Sequence, residues 1–134
     1  MSGTLYITGT PIGNMEDVTF RQLEILNSVD FITAEDTRVT LKLLNRYEIK
    51  KPLVSYHEYS TKACTENIIQ RIQNGESVAV VSDAGMPCIS DPGEELVKEC
   101  HRLGIDIKVV PGPSAVVSAL AISGLDTKKF FKRT

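Results

Sequence analysis

Val78 to Gly93 read VAVVSDAGMPCISDPG, an apolar run followed by a turn-rich segment. Residues 77–81 are almost all apolar or β-branched, which predicts a strand buried on both faces of a parallel sheet. Residues 82–90 are rich in turn formers, and Asp91 has the position and residue type of a helix N-cap. Most connections between a strand and a helix are shorter than this one. We therefore interpret the segment as a strand, a functional loop and a helix start.

Strand and helix patterns alternate along the rest of the chain. Strands are predicted at 5–8, 29–34, 53–55 and 105–110, and helices at 19–26, 40–47, 61–74, 94–103 and 115–123. The residues predicted to face the core are Phe20, Leu23 and Leu26 in the first helix, Leu41, Leu43 and Leu44 in the second, and Ile68, Ile69 and Ile72 in the third. Alternation of this kind predicts an α/β fold with a parallel sheet and helices on both faces.

Composition limits the function classes. The 134 residues are 42% hydrophobic and 24% charged, enough for one domain with its own core. The chain has no apolar run of about 18 residues and no signal-peptide pattern, so we expect a cytoplasmic protein without a membrane segment. Its three cysteines lack metal-ligand spacing and are predicted to be free thiols, with no metal bound. The net charge of −2 means that any nucleic-acid role requires a local basic patch or a further domain.

Polar or turn-forming residues follow all five predicted strands. These segments are residues 9–14, 35–38, 56–60, 82–90 and 111–114. In a doubly wound parallel sheet, the loops that leave the carboxyl ends of the strands open on one edge, where ligands bind. The sequence therefore predicts a binding site at that edge.

The polar residues in these loops each have two interpretations. Asp83 is suited either to hydrogen-bond a ribose diol or to cap its own loop. Residues 35–38 read EDTR: an internal ion pair that also caps the next helix is favoured over a substrate-facing cluster in which Arg38 holds a phosphate. His57 beside Glu58 is either a proton acceptor or a solvated loop residue.

Five motifs together carry a resemblance to a known family. They are TPIGN at 10–14, AEDTR at 34–38, SYHE at 55–58, SDAGMPCISDPG at 82–93 and PGPSA at 111–115. In this order they resemble the tetrapyrrole methylase superfamily. Within it, they are most similar to the bacterial branch that methylates a cytidine ribose 2′-hydroxyl in small-subunit ribosomal RNA.

The resemblance implies a cofactor and a domain arrangement. Residues 1–125 would be the family's amino-terminal α/β domain, and residues 126–134 would begin a linker to a second domain. The implied cofactor is S-adenosylmethionine, bound between two such domains. The implied cofactor-binding residues in this chain are Pro11, Ile12, Gly13, Asp83, Gly85, Met86, Ser114 and Ala115.

The remaining motif residues would face the RNA. Thr37 and Arg38 are the implied substrate-binding residues, and the general base is left open among Glu35, Asp36, His57 and Glu58. The family also implies a homodimer. We expect the chain by itself to be inactive and to bind the cofactor weakly, because half of the cofactor cleft would lie in the second domain.

Two departures from the family pattern are tolerable: MPC occupies residues 86–88, where the family usually has Thr-Pro-Leu, and YS occupies residues 59–60, where it tends to have His-Asn. Two alternatives to this function remain. The first alternative is methylation of a tetrapyrrole or another small molecule, which the TPIGN motif disfavours. The second is a dimerisation module without catalysis of its own.

Overall fold

The computed structural model describes residues 2–9, 18–56, 62–81 and 93–111. The strands are β1 (Thr4–Thr8), β2 (Phe31–Ala34), β3 (Leu53–Ser55), β4 (Val78–Val81) and β5 (Asp106–Val110). The helices are α1 (Phe20–Ser28), α2 (Thr37–Arg46), α3 (Lys62–Gln73) and α4 (Gly93–Leu103). The helix predicted at 115–123 lies outside the described residues.

The strands form one sheet in the order β3-β2-β4-β1-β5, and every pair is parallel. Strand β4 is central: Val78 pairs with Leu5 of β1 on one side and with Phe31 of β2 on the other. All four residues of β4 are buried, as predicted for a strand covered on both faces. The predicted α/β fold with a parallel sheet is confirmed.

Helices cover both faces of the sheet, and each face has its own apolar core. On one face α3 and α4 pack against β1, β2 and β4, with Phe31, Ile72 and Leu96 fully buried. On the other face α1 and α2 supply Leu26 and Leu44, which pack against Ile32 of β2. This division follows from right-handed crossovers that run in opposite directions along the sheet.

The predicted inward stripe of α3 is confirmed, because Ile68, Ile69 and Ile72 are all buried. The stripe predicted for α1 is wrong at Phe20, which is 93% exposed. The buried residues of α1 are Gln22 and Leu26. At 3.6 residues per turn, Phe20 lies about 160° around the helix from Gln22, and therefore points away from the sheet.

The same correction applies to α2. Leu43 and Leu44 are buried as predicted, but Leu41 is 47% exposed. Leu41 and Leu43 are two positions apart in the helix, so they again lie on nearly opposite sides of it. The helix also begins at Thr37 rather than Thr40, because Asp36 is its N-cap.

Candidate active site

The carboxyl ends of all five strands lie at one edge of the sheet. Strand β1 is followed by α1 on one face, whereas its neighbour β4 is followed by α4 on the other. Adjacent strands whose connections leave toward opposite faces open a crevice at their carboxyl ends, and ligands bind there in open α/β sheets. The connections after the five strands therefore all start at one edge of the sheet, as predicted.

The opposite, amino-terminal edge is closed by structural hydrogen bonds. The Ser77 backbone N–H donates to Asp30 Oδ2 at 2.8 Å, and the Thr4 N–H donates to Ser77 Oγ at 3.1 Å. Arg71 donates two bonds of 2.9 Å to the Glu76 carboxylate. These polar groups hold strands and helix ends together, which leaves the carboxyl edge as the candidate site.

Gly9 fixes the point where the chain leaves β1. Its N–H donates to the Val110 carbonyl at 3.0 Å, and its carbonyl accepts a 2.6 Å bond from Gln22 Nε2. Gln22 also closes a capping box, since its Oε1 accepts from the Thr19 N–H while Thr19 Oγ1 accepts from the Gln22 N–H. Thr19 and Gln22 have capping-box spacing in the sequence, but the sequence gives no sign that the Gln22 side chain also bonds to Gly9.

Thr8, the last residue of β1, contributes a buried polar atom to this edge. Its side chain is fully buried, and among the described residues its Oγ1 has no hydrogen-bond partner. By strand alternation it shares a face with Tyr6, on the side covered by α1 and α2. An unpartnered buried hydroxyl is costly in a protein interior, and here it lies where the β1 loop begins.

The EDTR segment forms the start of α2. Asp36 Oδ1 accepts from the Arg38 backbone N–H at 2.9 Å and from Arg38 Nε at 3.1 Å. Arg38 Nη2 donates to Asp36 Oδ2 at 3.0 Å. The favoured interpretation of this segment, an internal ion pair that also caps the next helix, is confirmed.

This pairing sets the protonation of both groups. The hydrogen bonds from the Arg38 side chain and backbone lower the pKa of the Asp36 carboxyl from its ordinary value of 3.8, and the pKa of Arg38 is raised by its bonds to Asp36. The Arg38 side chain is nevertheless 88% exposed. Its guanidinium is therefore a fixed positive charge held at the carboxyl edge and open to solvent.

Tyr56 fixes the start of the loop after β3. Its N–H donates to the Ala34 carbonyl at 2.8 Å, and its buried hydroxyl lies 2.9 Å from Thr65 Oγ1 of α3. The next two residues are the base candidates His57 and Glu58. The chain therefore enters this motif from a position fixed by both the sheet and a helix.

The described residues include four of the predicted site residues. Glu35, Asp36, Thr37 and Arg38 lie together where β2 ends and α2 begins. The other predicted site residues lie outside the described residues: Pro11, Ile12, Gly13, His57, Glu58, Asp83, Gly85, Met86, Ser114 and Ala115. The strand ends that precede their loops are all described, and all lie at the carboxyl edge.

Neither a metal centre nor a membrane-spanning helix is found among the described residues. Within 2–9, 18–56, 62–81 and 93–111, no group of three or more His, Cys, Asp or Glu side chains is arranged to hold a metal ion. In the same ranges no helix is long and apolar enough to span a membrane.

The family is established by comparison with known proteins. The model of the Tetrapyrrole (Corrin/Porphyrin) Methylases matches residues 4–134. The chain belongs to this family. The family match covers the five strands and all the motifs quoted above, and the resemblance read from those motifs is confirmed.

Two curated relatives are similar to this chain over nearly its whole length. The chain is 56% identical over 128 residues to the ribosomal RNA small subunit methyltransferase I of Thermotoga maritima, covering 96% of this chain and 58% of the relative. It is 50% identical over 129 residues to the protein of the same name in Bacillus subtilis, covering 96% of this chain and 44% of that one. The chain thus spans about half the length of the curated relatives it matches.

Solved structures share the fold. A uroporphyrin-III-C-methyltransferase from Thermus thermophilus superposes with a TM-score of 0.66 at 28% identity, covering 92% of this chain and 52% of that one. A diphthine synthase superposes with a TM-score of 0.69 at 17% identity, covering 95% and 51%. At 17% identity the second likeness shows the fold alone.

Proposed function

We propose that this chain is part of an S-adenosylmethionine-dependent methyltransferase that acts on the ribose 2′-hydroxyl of a cytidine in small-subunit ribosomal RNA. The observation that carries the proposal is the 56% identity, over 96% of the chain, to a relative named for small-subunit ribosomal RNA methylation. The uroporphyrin methyltransferase is only 28% identical. The RNA assignment is therefore favoured over a tetrapyrrole substrate and over a module without catalysis.

In this proposal residues 1–125 supply one wall of the cofactor cleft, and residues 126–134 begin the linker to a second wall. The match to about half the length of the relatives supports this division. The protein is cytoplasmic and works as a homodimer. Its partner is the ribosomal RNA of the small subunit, and it uses no metal.

The carboxyl edge fits S-adenosylmethionine, which carries no phosphate and is suited to backbone amides, hydroxyls and a carboxylate. The buried Thr8 hydroxyl lacks a partner among the described residues. The bonds of Gly9 to Val110 and Gln22 fix the backbone at this point. Both observations support a polar site with a fixed backbone at the end of β1.

The proposed cofactor-binding residues follow, in sequence, three strands that end at that edge. They are Pro11, Ile12 and Gly13 after β1, Asp83, Gly85 and Met86 after β4, and Ser114 and Ala115 after β5. When bound, S-adenosylmethionine supplies an activated methyl group. The residues of the chain then have to orient the ribose and accept its 2′-hydroxyl proton.

Thr37 and Arg38 are proposed to bind the RNA. Asp36 holds the Arg38 guanidinium through two side-chain bonds, and its lowered pKa makes it a weak base. It is therefore better suited to position Arg38 than to accept a proton. Glu35, His57 and Glu58 remain the candidates for the general base.

Calorimetric titration of S-adenosylmethionine tests the cofactor site in the complete polypeptide that contains this chain. We expect saturable binding that is lost or strongly weakened in Asp83→Ala. The control is Asp106→Ala, an exposed aspartate at the amino-terminal end of β5, which should bind as the unaltered protein does. Equal binding by the unaltered protein and Asp83→Ala would contradict the proposed cofactor loop.

A further inference from the structure

Helix α2 carries only positive charge. Its cations are Arg38, Lys42 and Arg46, and it has neither aspartate nor glutamate. Each of the other three described helices contains at least one glutamate: Glu24 in α1, Glu66 in α3, and Glu94, Glu95 and Glu99 in α4. Because the whole chain has a net charge of −2, this concentration of cations on one helix is local.

The three cations lie on one side of the helix. They are spaced i, i+4 and i+8, so they follow one another at intervals of roughly 6 Å along the axis. All three are exposed. The buried residues Leu43 and Leu44 face the sheet from the other side. The cations therefore form a line on the outer surface of α2.

Two lysines extend the positive charge beyond the helix. Lys50 is exposed and Lys51 is partly exposed in the segment that leads into β3. Residues 37–51 thus contain five cations against one carboxylate, that of Glu48. We name Arg38, Lys42, Arg46, Lys50 and Lys51 the α2 basic stripe. Asp36 partly neutralises Arg38 at the start of the stripe.

The stripe begins at the candidate site. Arg38 lies at the carboxyl edge, in the first turn of α2, and the helix then runs toward the amino-terminal edge. Exposed apolar side chains lie beside the cations, Val39 at 39% and Leu41 at 47% exposure. The cations would neutralise the charges of a polyanion bound along α2 at regular intervals. At the Arg38 end of the helix, the polyanion would reach the candidate site.

We infer that the α2 basic stripe binds the phosphate backbone of the substrate RNA and leads the strand to the carboxyl edge. This inference rests on the proposed function for the nature of the polyanion. Lysine and arginine side chains neutralise phosphates and release condensed counterions, which makes such binding strongly dependent on salt. The phosphate contacts set the register of the strand, and residues at the carboxyl edge select the nucleotide.

The test is fluorescence anisotropy of a fluorescein-labelled 20-nucleotide single-stranded RNA titrated, between 50 and 200 mM KCl, with the complete polypeptide that contains this chain. The variant is Lys42→Gln/Lys50→Gln, two exposed residues of the stripe. The control is Lys62→Gln/Lys98→Gln, which removes the same charge from α3 and α4 on the other face of the sheet. Neither pair removes a buried side chain, so both variants should fold.

Each phosphate contact with a single strand contributes about −0.7 to the slope of log K against log salt. Loss of two contacts should therefore make the slope about 1.4 less negative and weaken binding about 25-fold at 0.1 M salt. The control pair should match the unaltered polypeptide in both quantities. Equal losses in the two double variants, or no loss in the stripe variant, would overturn the inference. Failure of the unaltered protein to bind the RNA would also overturn the inference. The same holds if the stripe variant keeps its RNA affinity but loses binding to phosphatidylserine vesicles.

Titration of S-adenosylmethionine into the same variants separates this inference from the proposed function. The stripe lies on the outer surface of α2, so both double variants of the complete polypeptide should bind the cofactor as the unaltered polypeptide does. An unchanged RNA affinity together with normal cofactor binding and RNA methylation would reject the stripe and leave the methyltransferase assignment standing. Absence of RNA methylation by the complete polypeptide would reject the assignment itself.

Discussion

Gln22 Nε2 donates a 2.6 Å hydrogen bond to the carbonyl oxygen of Gly9, and the Gln22 side chain is fully buried. Through this bond the first turn of α1 is attached to the end of β1, thirteen residues earlier in the chain. The same side chain accepts from the Thr19 N–H and closes the capping box. One amide therefore bonds to Gly9 and to Thr19, the one just before residues 10–17 and the other shortly after them.

Substitution of Gln22 should lower stability markedly. Gln22→Leu leaves the Gly9 carbonyl and the Thr19 N–H without this partner, and a buried polar group left unpaired costs about 1–3 kcal/mol. Chemical denaturation followed by circular dichroism measures the change. A variant as stable as the unaltered chain would show that the loop is not held by this amide.

Gln22→Glu gives a pH-dependent version of the same test. A carboxylate cannot donate to Gly9, whereas a protonated carboxyl can, so its folded-state pKa should lie above the unfolded value of about 4.3. The variant should therefore match the unaltered chain most closely below about pH 4 and lose stability as pH rises through the folded pKa. A deficit that does not vary between pH 4 and 7 would contradict the donor role.

The cap and ion pair of Asp36 should respond separately to two substitutions. Asp36→Asn retains an N-cap side chain but loses the charge pair with Arg38, and Asp36→Ala loses both. We expect Ala to destabilise more than Asn. Because the folded pKa of Asp36 is lowered, its advantage over Asn is present above its ordinary pKa of 3.8 and is lost as pH falls through the lower value. Thermal melts of the three proteins between pH 2 and 7 provide the measurement.

Gly3 should not tolerate a side chain. A Cβ at this position would overlap the carbonyl oxygen and carbon of Glu76, which are backbone atoms and cannot easily move away. Gly3→Ala should destabilise the chain by roughly 3 kcal/mol or more, at the upper end of the range for overpacked sites. Gly104 is the matched control: a Cβ there meets nothing within 4 Å, and its φ of +72° is a conformation that asparagine tolerates. In denaturant unfolding, Gly104→Asn should therefore be much more stable than Gly3→Ala.

Thr33 offers a stabilising substitution. Its hydroxyl is buried within β2 and has no hydrogen-bond partner among the described residues. By register it lies between Val54 of β3 and Val80 of β4, an apolar environment. Thr33→Val removes the unpaired hydroxyl and should raise stability by about 1 kcal/mol. A melting temperature equal to or below that of the unaltered chain would show that the hydroxyl is satisfied.

The fold was predictable because its signals are local and strong. The apolar run of β4, the capping box at Thr19 and the helix-ending glycines each specify an element or its boundary. Gly75 and Gly104 both have positive φ, as expected of residues that follow helices. The strand order was not predicted, since a parallel sheet is assembled from contacts between residues far apart in sequence.

The helix faces were less predictable where apolar residues lie on both sides. Phe20 and Leu41 are apolar, but each lies about 160° around its helix from a buried residue. In α1 the inward position belongs to Gln22, a polar residue whose burial is explained by its bonds to Gly9 and Thr19. Hydrophobic periodicity cannot identify a buried polar side chain of this kind.

The sequence predicted at which edge of the sheet the candidate site lies. Alternating strands and helices place the loops together, and the EDTR segment indicated the ion pair and cap that the structure shows. The line of cations on α2 was not predicted, because Arg38, Lys42 and Arg46 are spaced four residues apart and form no continuous charged run in the sequence. The roles of Glu35, His57 and Glu58 stay predictions.

The central claim is that the protein methylates RNA with S-adenosylmethionine. The direct test supplies tritiated S-adenosylmethionine, small-subunit ribosomal RNA and the complete polypeptide that contains this chain, followed by nucleoside analysis of the digested RNA. We predict label in 2′-O-methylcytidine, and loss of that label in Asp83→Ala. Label in a tetrapyrrole offered alongside the RNA, or no label in either, would contradict the assignment.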